Sequence, residues 1–414
     1  MSFAALWQSL LPLGRDAGTG GYRRYSWTPA DAQCRRWFFQ TAAERNLRAI
    51  TDHNGNLWAW WDVPGADPGA DPGAGPAGAV VTGSHLDSVP DGGAYDGPLG
   101  VVTAFAAIDL LRERRKVPVR PLAVAAFCEE EGARFGVACL GSRLLAGAIE
   151  PARARALTDS GGTTFAEAMT AAGQDPGALG PDQALAAGIA AYVELHVEQG
   201  RALADLDAAI GVAERIWPHG RWRLTFTGRA DHAGTTRLGD RRDPMLAAAG
   251  TILAARGAAA RHGALATVGK LTVEPGAVNA ISSSVTAWLD ARAPDEARLH
   301  GVVDDVLTQA RTAAVAHGVA LDHARESVTP AVDFDAGLRD RMVATLAAAG
   351  IRAPVLPTGA GHDAGVLAGQ VPAGMLFVRN PTGVSHSPAE HADPGDCATG
   401  VMALAAVLED LACR

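Results

Sequence analysis

The chain has 414 residues, 48% of them hydrophobic and 20% charged, with 45 acidic against 36 basic side chains. This exceeds what one hydrophobic core usually serves, so two domains are expected. No stretch rich in Lys and Arg offers a nucleic-acid surface and no apolar run is fit to span a bilayer. The five scattered cysteines (Cys34, Cys128, Cys139, Cys397, Cys413) form no CxxC pair or disulfide framework, so the expectation is a reducing cytoplasm with neither nucleic acid nor membrane as partner.

In chain order, "SWTPADAQCRRWFFQTAAERN" opens a helix, with Thr28 as cap, Pro29 in the first turn and Asp31 complementing the helix dipole. "AITDHNGNLWAWWDV" reads as a hairpin turning at Asn54-Gly55. "PGADPGADPGAGPAGA" is of low complexity and reads as a solvated insertion between strands. Then come "AVVTGSHLD", "PLAVAAFCEEE", "AAYVELHVEQG" and "AGMLFVRN", separated by helices such as "PLGVVTAFAAIDLLRERR". Apolar strands alternating with helices predict an α/β fold, a mostly parallel sheet with helices on both faces. From 213 to 328 the order becomes β-α-β-β-α-β, a ferredoxin-like α+β insertion. The expected domains are therefore a catalytic one in two parts, 1–212 and 329–414, and an inserted one, 213–328.

Sites in open α/β sheets form where the carboxyl ends of the strands meet. The first apolar run ends in His85 and Asp87, and the loop after it carries Asp91 and Asp96. The next run ends in Glu129, Glu130 and Glu131, a third carries His196, and the last is followed by Ser385, His386 and Glu390. One His at a strand end is usually structural; four convergent segments of imidazole and carboxylate suit zinc or a similar divalent ion such as manganese. Two ions about 3.5–4 Å apart need a bridging carboxylate. Asp96, in the glycine-rich "GGAYDGPLG", is the candidate. Adjacent strand residues face opposite ways, so the three glutamates cannot serve alike.

The motifs "GSHLDSVPDGGAYDGPLG", "CEEEGARFG", "ELHVEQG", "GRADHAGTTRLGDRRD", "VNAISSSVTAWLDAR", "GAGHDA" and "GVSHSPAE" resemble those of the M20 metallopeptidase-related amidohydrolases. Within them the likeness is to the N-carbamoyl-L-amino-acid hydrolase and allantoate amidohydrolase group. The resemblance implies two divalent ions per subunit, zinc first, with manganese, cobalt or nickel as alternatives. His85, Asp96 and His196 would hold one ion and Asp96, Glu131 and His386 the other. Glu130 would be general base and acid, and Asp87 would fix the His85 tautomer. Glu129 would be left as a solvated or supporting acid. His232 would polarise the scissile carbonyl; Asn279 and Arg292 would hold the substrate carboxylate; Gln199 and Gly383 would add contacts. His362 and Asp363 would support the ligands. The family dimerises through the inserted domain, so a homodimer is expected, with lid residues serving either their own or the partner's site.

One departure concerns the residues after "HAGTT", where the family usually has Pro-Met and this chain has Arg237-Leu238. Arg237 is either a surface cation or a second anion site favouring acidic side chains. The expected substrate is a small ureido or N-acyl amino acid: an N-carbamoyl-L-amino acid or allantoate. The alternatives are an N-formyl or other N-acyl-amino-acid deacylase, an M20-type peptidase and a non-catalytic metal-binding relative. No GxSxG elbow supports a serine hydrolase, and "GAGHDA" is a poor dinucleotide fingerprint.

Overall fold

The computed structural model describes residues 2–63 and 76–414; most of the low-complexity insertion, residues 64–75, lies outside them. The chain divides into two compact units, Met1–Arg215 with Asp333–Arg414, and Ile216–Val332.

The first unit is built on one sheet, running in the order Arg48–Thr51, Leu57–Trp61, Leu122–Phe127, Ala79–His85, Ile189–Val197, Ala373–Val378 and Ile210–Ile216. Its four central strands, from Leu122–Phe127 to Ala373–Val378, are parallel, and antiparallel strands flank them. The flanking hairpin pairs Thr51 with Leu57 and turns through Gly55 at φ 87°. The central strands are buried along nearly their whole length, as strands covered on both faces must be.

Alternation along Ile189–Val197 separates the two faces. Ala191, Val193, Leu195 and Val197 join the main apolar core with residues of helices Pro98–Glu113 and Pro394–Ala412. On the other face Glu194 and His196 meet the start of helix Asp363–Leu367. Parallel register brings the carboxyl ends of the central strands together: His85 pairs with Phe127, and His196 with Phe377.

The second unit has a four-stranded antiparallel sheet in the order Ala320–Thr329, His219–Thr227, Ser284–Arg292, Leu265–Glu274. Helix Pro244–His262 joins the strands His219–Thr227 and Leu265–Glu274; helix Glu296–Ala316 follows Ser284–Arg292. Trp222, Leu224 and Phe226 alternate with more exposed residues and pack with Ala255, Val302 and Val306 of the helices. Among the described residues no helix is long and apolar enough to cross a membrane.

Candidate metal centre

Each candidate ligand sits at or just beyond a strand end. His85 closes the strand Ala79–His85, and Asp96 lies in the turn leading to helix Pro98–Glu113. Gly97, at φ 81°, allows this turn to lie on the His85 ring, because a Cβ there would overlap the imidazole. Glu130 and Glu131 follow the strand Leu122–Phe127, and His386 follows Ala373–Val378.

The acceptor atoms converge. Asp96 Oδ1 lies 3.5 Å from His85 Nε2 and 3.3 Å from His196 Nε2, while Oδ2 lies 3.4 Å from His386 Nε2. His386 Nε2 is 3.6 Å from Glu131 Oε2. Among the described residues three three-residue groups have donor atoms within 4.8 Å of one another: His85–Asp96–His196 and Asp96–Glu131–His386, with Asp96 common to both, and Glu194–His196–His362 behind them. Ligands at about 2.1 Å in tetrahedral geometry stand about 3.4 Å apart, so this spacing fits divalent ions.

The tautomers fit as well. His85 Nδ1 is hydrogen-bonded to the Asp87 carbonyl at 3.1 Å, and His196 Nδ1 to the Val197 carbonyl at 2.9 Å. A carbonyl can only accept, so Nδ1 carries a proton in both rings and Nε2 is the nitrogen left to face an ion. His85 Nε2 is buried without a hydrogen-bond partner.

The charges point the same way. Burial, then the charge of Asp96, lifts the Glu131 carboxyl to about 8. Burial pushes Glu130 well above the ordinary glutamate range, against the pull of His85. Burial opposes charge on His85, yet Glu130, Asp87 and Asp96 outweigh it and raise the imidazole well above its usual value. Asp96 is likewise disfavoured by burial, but the three imidazoles around it, His196, His386 and His85, hold it well below its normal range. The Asp96 hydrogen bond lifts His386 to about 9. Acids and imidazoles that must retain protons in a buried cluster are a donor set short of positive charge, which divalent cations supply.

The three glutamates diverge because Glu129 adopts φ 54°. Sequence reasoning leaves Glu129 as a solvated or supporting acid; the structure corrects the solvated part. It is 1% exposed, and Oε1 accepts the backbone N–H groups of Arg134 (3.0 Å) and Phe135 (2.8 Å), tying down the loop after the glutamates. Burial, then the Asp87 charge, lifts it to about 7. Asp87 meets His85 through its carbonyl, with its carboxylate 3.5 Å from the ring. That carboxylate accepts the Glu130 N–H (3.2 Å) and the Glu131 N–H (3.1 Å), so it orients both glutamates.

The buried layer behind the ligands was only partly foreseen. His362 lies against His196 with the rings tilted by 60° and centroids 4.6 Å apart, and burial followed by the His196 charge holds it well below the usual histidine value, as a neutral ring. Asp363 contacts the Ser142 hydroxyl at 2.5 Å. Glu194 accepts from Ser84 (2.7 Å) and from the Ala364 N–H (2.9 Å). Its only sequence signal was an acid two residues before His196, on the same strand face.

Residues 81–410 match the model of peptidase family M20/M25/M40. The chain belongs to this family. It is 37% identical to the N-carbamoyl-L-amino acid amidohydrolase of Geobacillus stearothermophilus, covering 96% of each chain. To the allantoate amidohydrolase of Escherichia coli (strain K12) it is 33% identical, covering 95% of this chain and 93% of the relative. A crystal structure of an amidase of the hydantoinase/carbamoylase family from Burkholderia vietnamiensis superposes with TM-score 0.87 at 29% identity, covering 100% of this chain and 98% of that one.

The remaining candidates in this M20 chain are placed as follows. Gln199 Nε2 donates to Asp96 Oδ2 at 2.8 Å. Gly383 donates its N–H to Asn380 Oδ1 (3.0 Å), so a backbone contact to a ligand falls to its carbonyl. In the second unit His232 pairs with Ala280, and Asn279 O accepts the Ala233 N–H at 2.9 Å, so His232 and Asn279 are neighbours. His232 Nδ1 accepts the Gly234 N–H (3.0 Å), which leaves the proton of a neutral ring on Nε2. Arg292 is not with them: it ends the strand Ser284–Arg292 and lies on Asp290 at 2.9 Å. The pairing of 231–232 with 280–281 forms a separate two-stranded sheet, just before Ser284 in the chain, whereas Arg292 closes the nine-residue strand that Ser284 begins. Arg237 is exposed at the start of the turn Leu238–Asp240. Sequence reasoning missed Arg241, which donates to Ala233 O (2.7 Å) and Thr236 O (3.1 Å) and braces the His232 loop.

Proposed function

We propose that the chain is a binuclear-metal amidohydrolase that cleaves the N-carbamoyl or ureido C–N bond of a small carboxylate-bearing substrate, an N-carbamoyl-L-amino acid or allantoate. The observation that carries this reading is the pair of three-residue groups sharing Asp96, with Glu130 Oε2 3.6 Å from His85 Nε2. The names of the two curated relatives above support the substrate class.

His85, Asp96 and His196 would hold one divalent ion, and Asp96, Glu131 and His386 the other; when bound, the pair supplies Lewis acidity and a water acidified toward neutrality. Glu130 belongs to neither group. Its carboxylate takes the proton of the attacking water and delivers it to the departing amine. His232, with its proton on Nε2, donates to the carbonyl oxygen as negative charge develops there. Gln199, Asn279, Arg292 and the Gly383 carbonyl hold the substrate, Arg292 by a two-pronged contact to its carboxylate. Arg237 adds a preference for acidic side chains.

The reading also includes a homodimer through the inserted domain, with His232, Asn279 and Arg292 serving their own or the partner's site. The five cysteines are all free, which suits a reducing cytoplasm.

The test is a substrate panel on metal-reconstituted protein: allantoate together with N-carbamoyl, N-formyl and N-acetyl amino acids, and dipeptides. Ammonia release from the carbamoyl compounds or allantoate is expected; turnover of dipeptides alone would replace this reading with a peptidase.

A further inference from the structure

Glu130, on the reading above, must present one carboxylate oxygen to the reacting water in a fixed direction. The oxygen facing the centre is Oε2, 3.6 Å from His85 Nε2. The other oxygen, Oε1, lies 3.2 Å from the Cys139 sulfur, which is buried. Cys139 also donates its backbone N–H to the Glu130 carbonyl at 2.6 Å. Both contacts depend on the left-handed backbone of Cys139, φ 55° and ψ 37°, which starts the helix Leu140–Leu145. A non-glycine residue at positive φ is uncommon and is retained where its side chain serves a purpose. The Cys139 carbonyl is in turn 3.1 Å from the Ser142 hydroxyl, which also contacts Asp363. Cys139 thus grips Glu130 at its main chain and at the side-chain oxygen turned away from the centre.

We propose that Cys139 is a positioning residue for Glu130: its thiol donates to Oε1 and so turns Oε2 toward the bound ions and the attacking water. This rests on the amidohydrolase reading and on Glu130 as general base. Sulfur is a weak donor to neutral oxygen, but the Glu130 carboxylate is a charged acceptor once divalent ions supply positive charge beside it. The thiol forms no bond to substrate and takes no part in the chemical step.

The experiment compares Cys139→Ala, Cys139→Gly, Cys139→Ser and Glu130→Gln in metal-reconstituted full-length protein, with kcat, KM, bound metal and Tm recorded for each. Glycine removes the thiol and suits the left-handed backbone, so it guards against a misfolded alanine variant. The expected result is a kcat lowered about tenfold in the alanine and glycine variants, the scale of one hydrogen bond to a charged group. KM and bound metal stay at wild-type values, and serine, which keeps a donor, retains most of kcat. Wild-type kcat in the alanine or glycine variant overturns the proposal, as does an equal fall in all three Cys139 variants that tracks Tm or metal loss. Full turnover by Glu130→Gln overturns the general-base reading and the positioning role with it. Loss of turnover in Glu130→Gln beside wild-type Cys139→Ala overturns the positioning role alone.

Discussion

Glu390 Oε2 accepts the Asp96 backbone N–H at 2.9 Å, across 294 positions of sequence. The same oxygen accepts the Tyr95 N–H at 2.9 Å, and Ser385 donates to Oε1 at 3.1 Å. Glu390 thus anchors the loop of the shared carboxylate to the segment that carries His386. In Glu390→Ala the two backbone donors lose their partner and Asp96 loses its anchor. Metal affinity should fall about 10–100-fold, as when other supports behind metal ligands are removed; competition with a fluorescent chelator measures it.

A second support lies beneath the glutamates. The buried Asp52 carboxylate accepts from Asn54 N, Asn56 N, Asn56 Nδ2 and Trp58 Nε1, at 2.8–3.0 Å. Asn56 Oδ1 in turn accepts the Cys128 N–H at 3.0 Å. Asp52→Ala strands these buried donors, and a loss of about 2–4 kcal/mol is expected in denaturant unfolding of the metal-free protein. Because Asn56 leads to the residue before Glu129, turnover should fall as well.

Glu130 and the ligands should separate cleanly. Glu130→Gln should lower kcat by about 10²–10⁴-fold, the usual contribution of a general base, while the bound metal per chain stays at the wild-type value. Asp96→Ala should lose both together, since its carboxylate is common to the two ligand groups. Turnover and metal analysis on the same preparations check this.

The proposed homodimer yields a mixing test. His232→Ala and Arg292→Ala homodimers should each be inactive. If one site takes His232 from one copy and Arg292 from the other, a mixed dimer retains one intact site. Subunit exchange should then restore activity to about a quarter of wild type; an inactive mixture contradicts shared sites.

The parts of the centre legible in the sequence are those where an apolar run meets a polar residue. His85, Glu130 and Glu131 stand at or after buried strand ends, and parallel pairing brings such ends to one edge. The supports were less legible, because their partners are remote. Nothing local marks Glu390 as the acceptor for Asp96, or Asn56 as the acceptor for Cys128. Glu129 read as a solvated or supporting acid because three successive acids look like a wet surface; its positive φ, which turns it inward to the supporting place, leaves no compositional trace. Asn279 and Arg292 were joined by the resemblance alone, since nothing in the local pattern links a turn residue before the pair Ala280–Ile281 to the last residue of the strand Ser284–Arg292.

The most direct test of the central claim is anomalous diffraction at the metal edge from crystals of metal-reconstituted protein. The account predicts two peaks about 3.5–4 Å apart, one bounded by His85, Asp96 and His196 and the other by Asp96, Glu131 and His386. A single peak, or peaks on residues outside these two groups, would contradict it.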